Sequence, residues 1–465
     1  MTDLEGTART LIARKRHHSA IRETLANLYL FHKDIPTEKA EELAGAVLKE
    51  VIASLEVASS EKGYFLQTRL SGVNMGDQGV GSRGSGDEFV HRLIAEICRP
   101  QQAATELSPQ DQDDAGAVSI SLGERIAASK GQLILVSAID GMHSRLSEYG
   151  FVAGFHCTRA ALRDVFVKGA TPAALLVDIH LGDDADVAKL FSFMGGCQAV
   201  AELSQVPIVA GSTLRIGGDM VLGDRMTGGV AALGVSADPL FMRKGVRAGD
   251  KIFMTMGSGG GTICATAIFS GHEDVIEETL NIDFIEASRL LISEELREHI
   301  HAATDVTNGG VRGDAAEISR VTKLGLAFNR NAVMDAINPK ILNMLEELQI
   351  DPLGVSIDSL MFFSNEEGSK NVIQKFQENN VTLHEVGKVI RSPVGVYEIK
   401  QGSLLPLERQ FREAAYTPLK MAIGTKMPEN EAEMGRKLVE AQEAVKKKIS
   451  NVISLIQRRK NHAMG

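Results

Sequence analysis

Residues 133–141 read Leu-Ile-Leu-Val-Ser-Ala-Ile-Asp-Gly, an apolar run that ends in the carboxylate of Asp140. After a helical stretch the chain continues with a second apolar run, Ala173–His180, and later with a third, Val206–Thr213. Short β-rich runs that are bounded by Gly and Pro and alternate with helical stretches indicate a layered α/β sheet. Such sheets bind their ligands where strands end, so Asp140 and the turn Gly211-Ser212-Thr213 are candidate site residues.

The composition is that of a soluble globular protein with more than one domain. A chain of 465 residues is too long for one compact core, and 44% hydrophobic and 24% charged residues are ordinary values. No apolar stretch approaches the ~20 residues that span a bilayer, and the N-terminus lacks the basic-then-apolar form of a signal peptide. We therefore expect a cytoplasmic protein. The net charge of −10 argues against a general nucleic-acid-binding surface.

The cysteines are widely spaced and form no CxxC pair, which leaves zinc or iron–sulfur ligation by local pairs unsupported. A disulfide framework would be out of place in a reducing compartment. We expect these residues to be small buried hydrophobic side chains; they are Cys98, Cys157, Cys197 and Cys264.

Helical patterns flank the strand-rich part of the chain. Residues 1–63 carry apolar residues at helical spacing, for example Ile21, Leu25 and Leu28, and indicate a packing or dimerisation appendage. Past Pro418 a long amphipathic helix is predicted, with Leu438, Ala441, Val445, Val452 and Ile456 at coiled-coil-like spacing. The basic residues near this stripe favour a solvated face, with an anionic partner such as RNA as the minority interpretation.

A glycine-rich segment at residues 76–87 follows a short predicted strand, Tyr64–Leu66. Its glycines leave backbone N–H groups free to approach an anion, and Arg83 adds a positive charge. A mobile linker is the alternative interpretation. The candidate ligand-binding residues of this loop are Gly79, Gly81, Ser82, Arg83, Gly84 and Gly86.

Two adjacent carboxylates, Asp113 and Asp114, precede a further predicted strand. They repel each other unless a cation or solvent compensates, and hard oxygen donors suit Mg²⁺. A solvated acidic turn is the alternative. Because Asp140 and Asp164 stand at comparable turns elsewhere in the chain, we favour a metal site.

The C-terminal half carries two further motifs. A charged turn precedes a predicted strand that ends at Thr255. The glycine run that follows, with Gly259 and Gly260, begins a predicted helix whose N-terminus can bind phosphate. Residues 302–311 then read Ala-Ala-Thr-Asp-Val-Thr-Asn-Gly-Gly-Val and contain Asp305, Thr307 and Asn308.

Together these motifs resemble the AIR synthase (PurM-like) superfamily of ATP-using enzymes over roughly residues 64–400. In that family the Asp after the first strand, the Asp before a "GA-x-P" turn and a "GGDT" or "GGHS" turn face the nucleotide and its metal; here these places hold Asp140, Asp164 and residues 211–213. The acidic turn resembles the "GDDAA" turn of thiamine-monophosphate kinases and hydrogenase-maturation members. Residues 302–311 resemble "hDvTdGGl", with Asn308 replacing the usual Asp. The loop at 76–87 lacks the reactive Cys or selenocysteine and the Lys of selenophosphate synthetases.

The resemblance implies a two-domain α/β protein of the PurM-like type that forms a dimer. Its N-terminal domains would build an eight-stranded β-barrel across the dimer, and ATP would lie near the domain interface. The expected parts are a helical extension at 1–63, an ATP-binding and dimerisation domain at 64–237, a C-terminal α/β domain at 238–400 and a helical tail at 401–465.

The implied function is Mg²⁺-dependent phosphoryl transfer from ATP to an unidentified small acceptor, and the chain looks most like the selenophosphate-synthetase-related branch. Asp113, Asp114, Asp140, Asp164 and Asp305 would hold metal, whereas Arg83, the glycine-rich loop and Lys168 would approach phosphates. The competing hypothesis is a nucleotide-binding regulator or scaffold without turnover, which Ser212 and Asn308 favour because the family often has Asp at both places.

Overall fold

The computed structural model describes residues 2–82, 84–98, 105–112, 115–120, 133–413 and 415–463. Its α-helices are α1 (Leu4–Ala13), α2 (His18–His32), α3 (Thr37–Ser59), α4 (Met75–Gln78), α5 (Ser85–Ile97), α6 (Gly150–Phe166), α7 (Ala188–Ser204), α8 (Gly261–Ser270), α9 (Glu273–Ile276), α10 (Asp283–Leu291), α11 (Glu294–Arg297), α12 (Gly310–Thr322), α13 (Arg330–Asp335), α14 (Pro339–Glu347), α15 (Ser369–Glu378), α16 (Pro418–Ile423) and α17 (Glu431–Ala463). Its strands are β1 (Thr105–Leu107), β2 (Ala117–Val118), β3 (Ile134–Gly141), β4 (Thr171–Leu181), β5 (Ile208–Arg215), β6 (Met226–Ser236), β7 (Lys251–Thr255), β8 (Ile300–Val306), β9 (Gly325–Phe328), β10 (Ser359–Ser364), β11 (Leu383–Ile390), β12 (Gly395–Lys400) and β13 (Ser403–Pro406).

A four-stranded sheet organises the N-terminal half, in the order β3-β6-β4-β5. β6 pairs antiparallel with both β3 and β4, and β4 pairs parallel with β5. α6 and α7 pack on each other, and α6 also packs on β3 and β6. A Cβ atom at Gly154 or Gly196 would lie about 2 Å from a backbone oxygen of the facing helix, so glycine at these positions permits the close helix–helix contact.

The other face of this sheet is open within the described chain. Along β3 the side chains alternate, with Val136 and Ala138 half-buried and Ile139 73% exposed. Leu135, also on the open face, is 68% exposed. The two edge strands, β3 and β5, therefore flank a partly apolar surface.

A seven-stranded sheet organises the C-terminal half, in the order β13-β12-β9-β11-β7-β10-β8. Every residue of β10, which pairs with β7 and β8, is buried, as expected for an inner strand that is covered on both faces. Phe362 of β10 stacks between Phe253 of β7 and Phe376 of α15, with ring centroids 5.4 and 5.6 Å apart. This core fixes β8, whose end carries part of the candidate site.

Three helices precede the sheets, and α16 returns to them. Ile21 and Leu25 of α2 and Val47 and Val51 of α3 are buried in one apolar cluster. α16 packs on α3, and the backbone N–H of Leu419 donates to the buried Glu50 carboxylate at 2.6 Å. The C-terminal part of the chain is thereby joined to the N-terminal helices.

The structure corrects two local predictions. Tyr64–Leu66 is not a strand but belongs to a 3₁₀ helix, Glu61–Leu66, in which Phe65 stacks on Phe151 at 5.7 Å. Residues 354–363 are also predicted from their apolar pattern to form one core strand, but β10 begins only at Ser359, because Asp358 adopts a left-handed backbone with φ of 57° and turns its carboxylate toward two arginines.

The tail, consisting of residues 410–412 and the segment from Gly424 on, forms a compact unit of its own. The apolar side chains of α17, such as Leu438 and Val445, are exposed. Among the described residues, no helix combines the length and apolar character that a membrane crossing requires.

Candidate functional site

One cleft of about 580 Å³ collects the acidic residues that follow separate strands and helices. We call it the acid cleft. Asp140 enters it from the end of β3, Asp164 from the last turns of α6, and Asp305 from the end of β8. The structure thus brings together three carboxylates that lie far apart in the sequence. The other predicted residues that line this cleft are Lys168, Thr307 and Asn308.

The guanidinium of Arg163 lies at the centre of these carboxylates. Its Nε is 2.8 Å from Oδ2 of Asp305, whereas its Nη2 lies 3.8 Å from Asp140 and 3.7 Å from Asp164. It also donates to Oδ1 of Asp358, whose other oxygen accepts from Arg159. Two arginines one helical turn apart on α6 therefore bind a C-terminal-domain carboxylate that is itself buried.

Burial and charge crowding perturb the acids of the cleft. Burial raises the pKa of Asp164 to about 7; Arg163 offsets part of this rise, and the Asp305 and Asp140 carboxylates add to it. Burial also raises the pKa of Asp140 against the opposing effect of Arg163. Raised pKa values of clustered acids in a cleft mark a candidate functional site.

Basic side chains approach the same cleft from both domains. Lys168 donates through Nζ to the Ala303 carbonyl at 3.1 Å, and burial followed by the charge of Arg243 lowers its pKa. Arg243 pairs with Asp314 at 3.0 Å. Burial, with the neighbouring Asp305, raises the pKa of Asp314 to about 7. Lys168 and Arg243 are placed to meet an anionic ligand beside the acids.

A second cleft, of about 730 Å³, lies along β5 and the glycine-rich loop, and we call it the glycine cleft. Its predicted lining residues are Gly81, Gly84, Gly211, Ser212 and Thr213. Two hydrogen bonds fix the position of the loop. The Gly81 N–H donates to Asp87 at 2.8 Å, and Arg215 donates to the Ser82 hydroxyl at 3.2 Å.

The other two predicted loop glycines, Gly79 and Gly86, are part of the local backbone structure and do not line the glycine cleft. Gly79 ends α4 in the left-handed conformation with φ of 71°, and the Gly86 carbonyl accepts from the Gln78 side chain at 3.0 Å. Arg83, Asp113 and Asp114 lie outside the described residues, so their expected roles stay predictions. Ala115, the next described residue after the acidic turn, lines the glycine cleft.

The two clefts lie at opposite edges of the four-stranded sheet. Asp140 pairs with Val230, Val230 with Val177, and Val177 with Gly211, so all four residues form one row across the sheet. Three strand spacings separate the ends of this row, a distance of about 14 Å. In a single chain the acids and the glycine loop therefore lie in two separate clefts.

Gly259 and Gly260 lie in neither cleft lining. Both are buried at the start of α8, where the Gly259 carbonyl accepts from Arg159 and a Cβ at Gly260 would meet the Asp358 carboxylate at 3.3 Å. The glycine run thus packs against the Arg159–Asp358 pair, and its expected contact with phosphate stays a prediction.

Sequence reasoning missed Arg163, Asp358 and Arg243. The four-residue spacing of Arg159 and Arg163, one helical turn, was the available signal, since it places both guanidinium groups on one side of α6.

The acids of the acid cleft provide oxygen ligands, and the side chains of Asp140 and Asp164 keep 36% and 37% of their surface exposed. This donor set fits a magnesium-type cation.

Elsewhere in the described chain, Asp3, Glu148 and Asp224 lie close enough to share a cation. The ammonium group of Lys189 already lies 3.2 Å from Glu148 and 2.8 Å from Asp224. This cluster is accounted for as an ion-pair network beneath α1.

Fold and site together define a two-domain α/β protein with an acidic cleft between its domains. Comparison with family models is specific: the N-terminal domain of AIR synthase related proteins matches residues 112–236 and the C-terminal domain matches residues 247–400. The chain belongs to the AIR synthase related (PurM-like) family, which confirms the resemblance drawn from its motifs.

An uncharacterized protein of Methanocaldococcus jannaschii is 45% identical over 468 residues, which cover 99% of each chain. Selenide, water dikinase of Methanococcus maripaludis is 22% identical over 311 residues, covering 62% of this chain and 90% of that protein. The crystal structure of the hydrogenase maturation protein HypE in complex with ATP shares the fold, with a TM-score of 0.55, 20% identity and coverage of 71% of this chain and 97% of that one. The predicted mixed α/β two-domain fold is thereby confirmed, and the family's members include ATP-using enzymes.

Proposed function

We propose that this protein is a Mg²⁺-dependent enzyme that transfers a phosphoryl group from ATP to a small acceptor. The observation that carries the proposal is the acid cleft, in which Asp140 and Asp164 face Lys168 and Arg243. Catalysis of phosphoryl transfer consists mainly of positioning and charge neutralisation. A cleft that holds carboxylates and cations side by side offers both.

In this proposal Asp140 and Asp164 hold the cation, with Asp305 beside them. Bound Mg²⁺ would supply charge neutralisation at the phosphate oxygens. Lys168 donates to a phosphate oxygen, and Arg243 adds a second positive charge nearby. Thr307 and Asn308 provide neutral hydrogen-bonding groups where a further acid would repel the phosphates.

We further propose that the working form is a homodimer whose two four-stranded sheets close into the barrel. The open face carries exposed apolar side chains, and both edge strands lack a neighbour among the described residues. If the β3 edge of one copy meets the β5 edge of the other, the acid cleft of the first lies beside the glycine cleft of the second. The residues expected to bind phosphates and metal would then form one site.

The test measures ATP binding by calorimetry and turnover against a library of small acceptors, with ADP and AMP both quantified. Wild type is expected to bind Mg·ATP and to release one of these products only with the right acceptor. Asp140→Asn is expected to lose both activities, whereas Asp34→Asn, at an exposed position outside the clefts, is expected to keep them.

Binding without turnover across the library would instead support the nucleotide-binding regulator, for which Asn308 in the acid cleft is the favouring observation. Absence of Mg·ATP binding by the folded wild-type protein would refute both functions.

A further inference from the structure

Arg163 contacts carboxylates from both domains at the centre of the acid cleft. It projects from α6, and its side chain is only 9% exposed. The carboxylates around it are Asp140, Asp164, Asp305 and Asp358. Carboxylate oxygens of this kind are the ligands that hard divalent cations prefer.

We propose that Arg163 takes the place of one divalent cation in the acid cleft. The cleft then binds a single divalent cation through Asp140 and Asp164, while Asp305 forms an ion pair with the guanidinium of Arg163. This inference rests on the proposed Mg²⁺-dependent function and specifies how many cations its site takes and which acids hold them.

The distances divide the acids into two kinds. Asp305 is 2.8 Å from Nε of Arg163, and its side chain is 12% exposed. Asp140 and Asp164 lie 3.8 and 3.7 Å from the guanidinium, beyond hydrogen-bonding range, and are about three times as exposed. Asp305 is thus the closest ion-pair partner of Arg163 in the cleft, whereas Asp140 and Asp164 lie farther from the guanidinium and are more exposed.

The charges of the side chains in the acid cleft also indicate one divalent cation. Fully ionised, Asp140, Asp164, Asp305 and Asp358 carry four negative charges, and the guanidinium groups of Arg159 and Arg163 cancel two of them. The remainder equals the charge of one divalent cation. The charge of Arg243 is balanced by Asp314 at 3.0 Å and does not change this total, and the charge of Lys168 is assigned to the phosphates. Without Arg163 the cluster would have one more negative charge and an open position beside Asp305.

A guanidinium differs from a metal ion in ways that matter here. It cannot dissociate and it keeps its charge at all relevant pH values. It also forms ion pairs with Asp305 and Asp358 through separate nitrogens. Since α6 belongs to the N-terminal half and both acids belong to the C-terminal half, Arg163 holds the two walls of the cleft together in the metal-free protein.

The experiment counts bound Mn²⁺ by equilibrium dialysis and electron paramagnetic resonance, with Mn²⁺ alone and no nucleotide. Arg163→Gln removes the charge and shortens the side chain, which empties the position between the carboxylates, and we expect it to bind one more Mn²⁺ per chain than wild type. Arg163→Lys retains the charge and should keep the wild-type number. An unchanged number in folded Arg163→Gln would overturn the proposal.

Two variants of the acids keep the proposal testable if Arg163→Gln fails to fold, as judged by circular dichroism and gel filtration. Asp140→Asn should lose one Mn²⁺ per chain, whereas Asp305→Asn should keep the wild-type number. Loss of a Mn²⁺ in Asp305→Asn, or no loss in Asp140→Asn, would overturn the assignment. Because these counts need no ATP, wild type that fails to turn over ATP would refute the proposed function while leaving the cation count readable.

Discussion

Asp140 and Gly211 lie in the same row of paired residues, on opposite edge strands of one four-stranded sheet. Each belongs to a different cleft, the acids at one edge and the glycine loop at the other. Edge strands have backbone groups available for pairing with another chain. The arrangement is therefore what a site shared between two copies requires, and the predictions below test its parts separately.

Asp164→Asn should change how stability depends on pH. Burial raises the pKa of Asp164 from an ordinary 3.8 to about 7 in the folded protein. Between these values the folded state holds a proton that the unfolded state has lost, so metal-free wild type should lose stability as pH rises from about 4 to about 7. Asparagine cannot ionise and removes this loss.

The measurement is the melting temperature in EDTA across this pH range, with the variant compared with wild type at each pH. The difference, variant minus wild type, should increase with pH, and Asp34→Asn, on the exposed surface, should show no such trend. A difference that stays constant would mean that Asp164 ionises normally in the folded protein.

The acids of the cleft could be expected from the sequence because each carries a local signal. Asp140 follows an apolar strand, Asp164 precedes a Gly-Ala-Thr-Pro turn, and Asp305 lies in a recognisable motif. Strand ends converge in a layered sheet, so local signals of this kind carry over to the folded site.

Arg163 could not be found in the same way. A charged residue next to an acid on a helix is usually solvated, and only the packing of α6 against β8 and the loop at Asp358 buries it. The separation of the two clefts was equally hidden, since it depends on the pairing order β3-β6-β4-β5, which no single segment encodes. At Tyr64 and Phe65 a local signal was present but misleading. These residue types favour strands, yet they form part of a 3₁₀ helix because Phe65 stacks on Phe151.

Lys168→Met should weaken ATP binding. A hydrogen bond between a charged group and phosphate contributes about 1.5–3 kcal/mol, so the dissociation constant should rise by about 10- to 150-fold. Lys168 lines the acid cleft, whereas Lys244 is exposed and does not line it. Calorimetric titration with a non-hydrolysable ATP analogue should therefore give a near wild-type value for Lys244→Met. Equal affinities for the two variants would remove Lys168 from the phosphate site.

Deleting residues 425–465 should leave nucleotide binding intact. The residues that line both clefts all lie in the larger compact unit, before position 309, and the tail forms a unit of its own. The affinity of the truncated protein for Mg·ATP should stay within about twofold of wild type, once circular dichroism has shown that it folds. A tenfold loss, about 1.4 kcal/mol, would place the tail in the nucleotide site.

Ile139→Glu should dissociate the dimer. Ile139 projects from β3 on the open face and is 73% exposed in the single chain. Burying such a side chain contributes about 1.5–3 kcal/mol, and two-fold symmetry counts the loss twice, so the dimer dissociation constant should rise by at least about 100-fold. Sedimentation velocity at micromolar concentration should show a dimer for wild type and a monomer for the variant. Leu222→Glu is the matched control, because Leu222 is 76% exposed but lies outside the sheet. If wild type sediments as a monomer, or if Ile139→Glu stays dimeric, the acid cleft and the glycine cleft do not meet across this face. The glycine cleft must then bind a separate ligand.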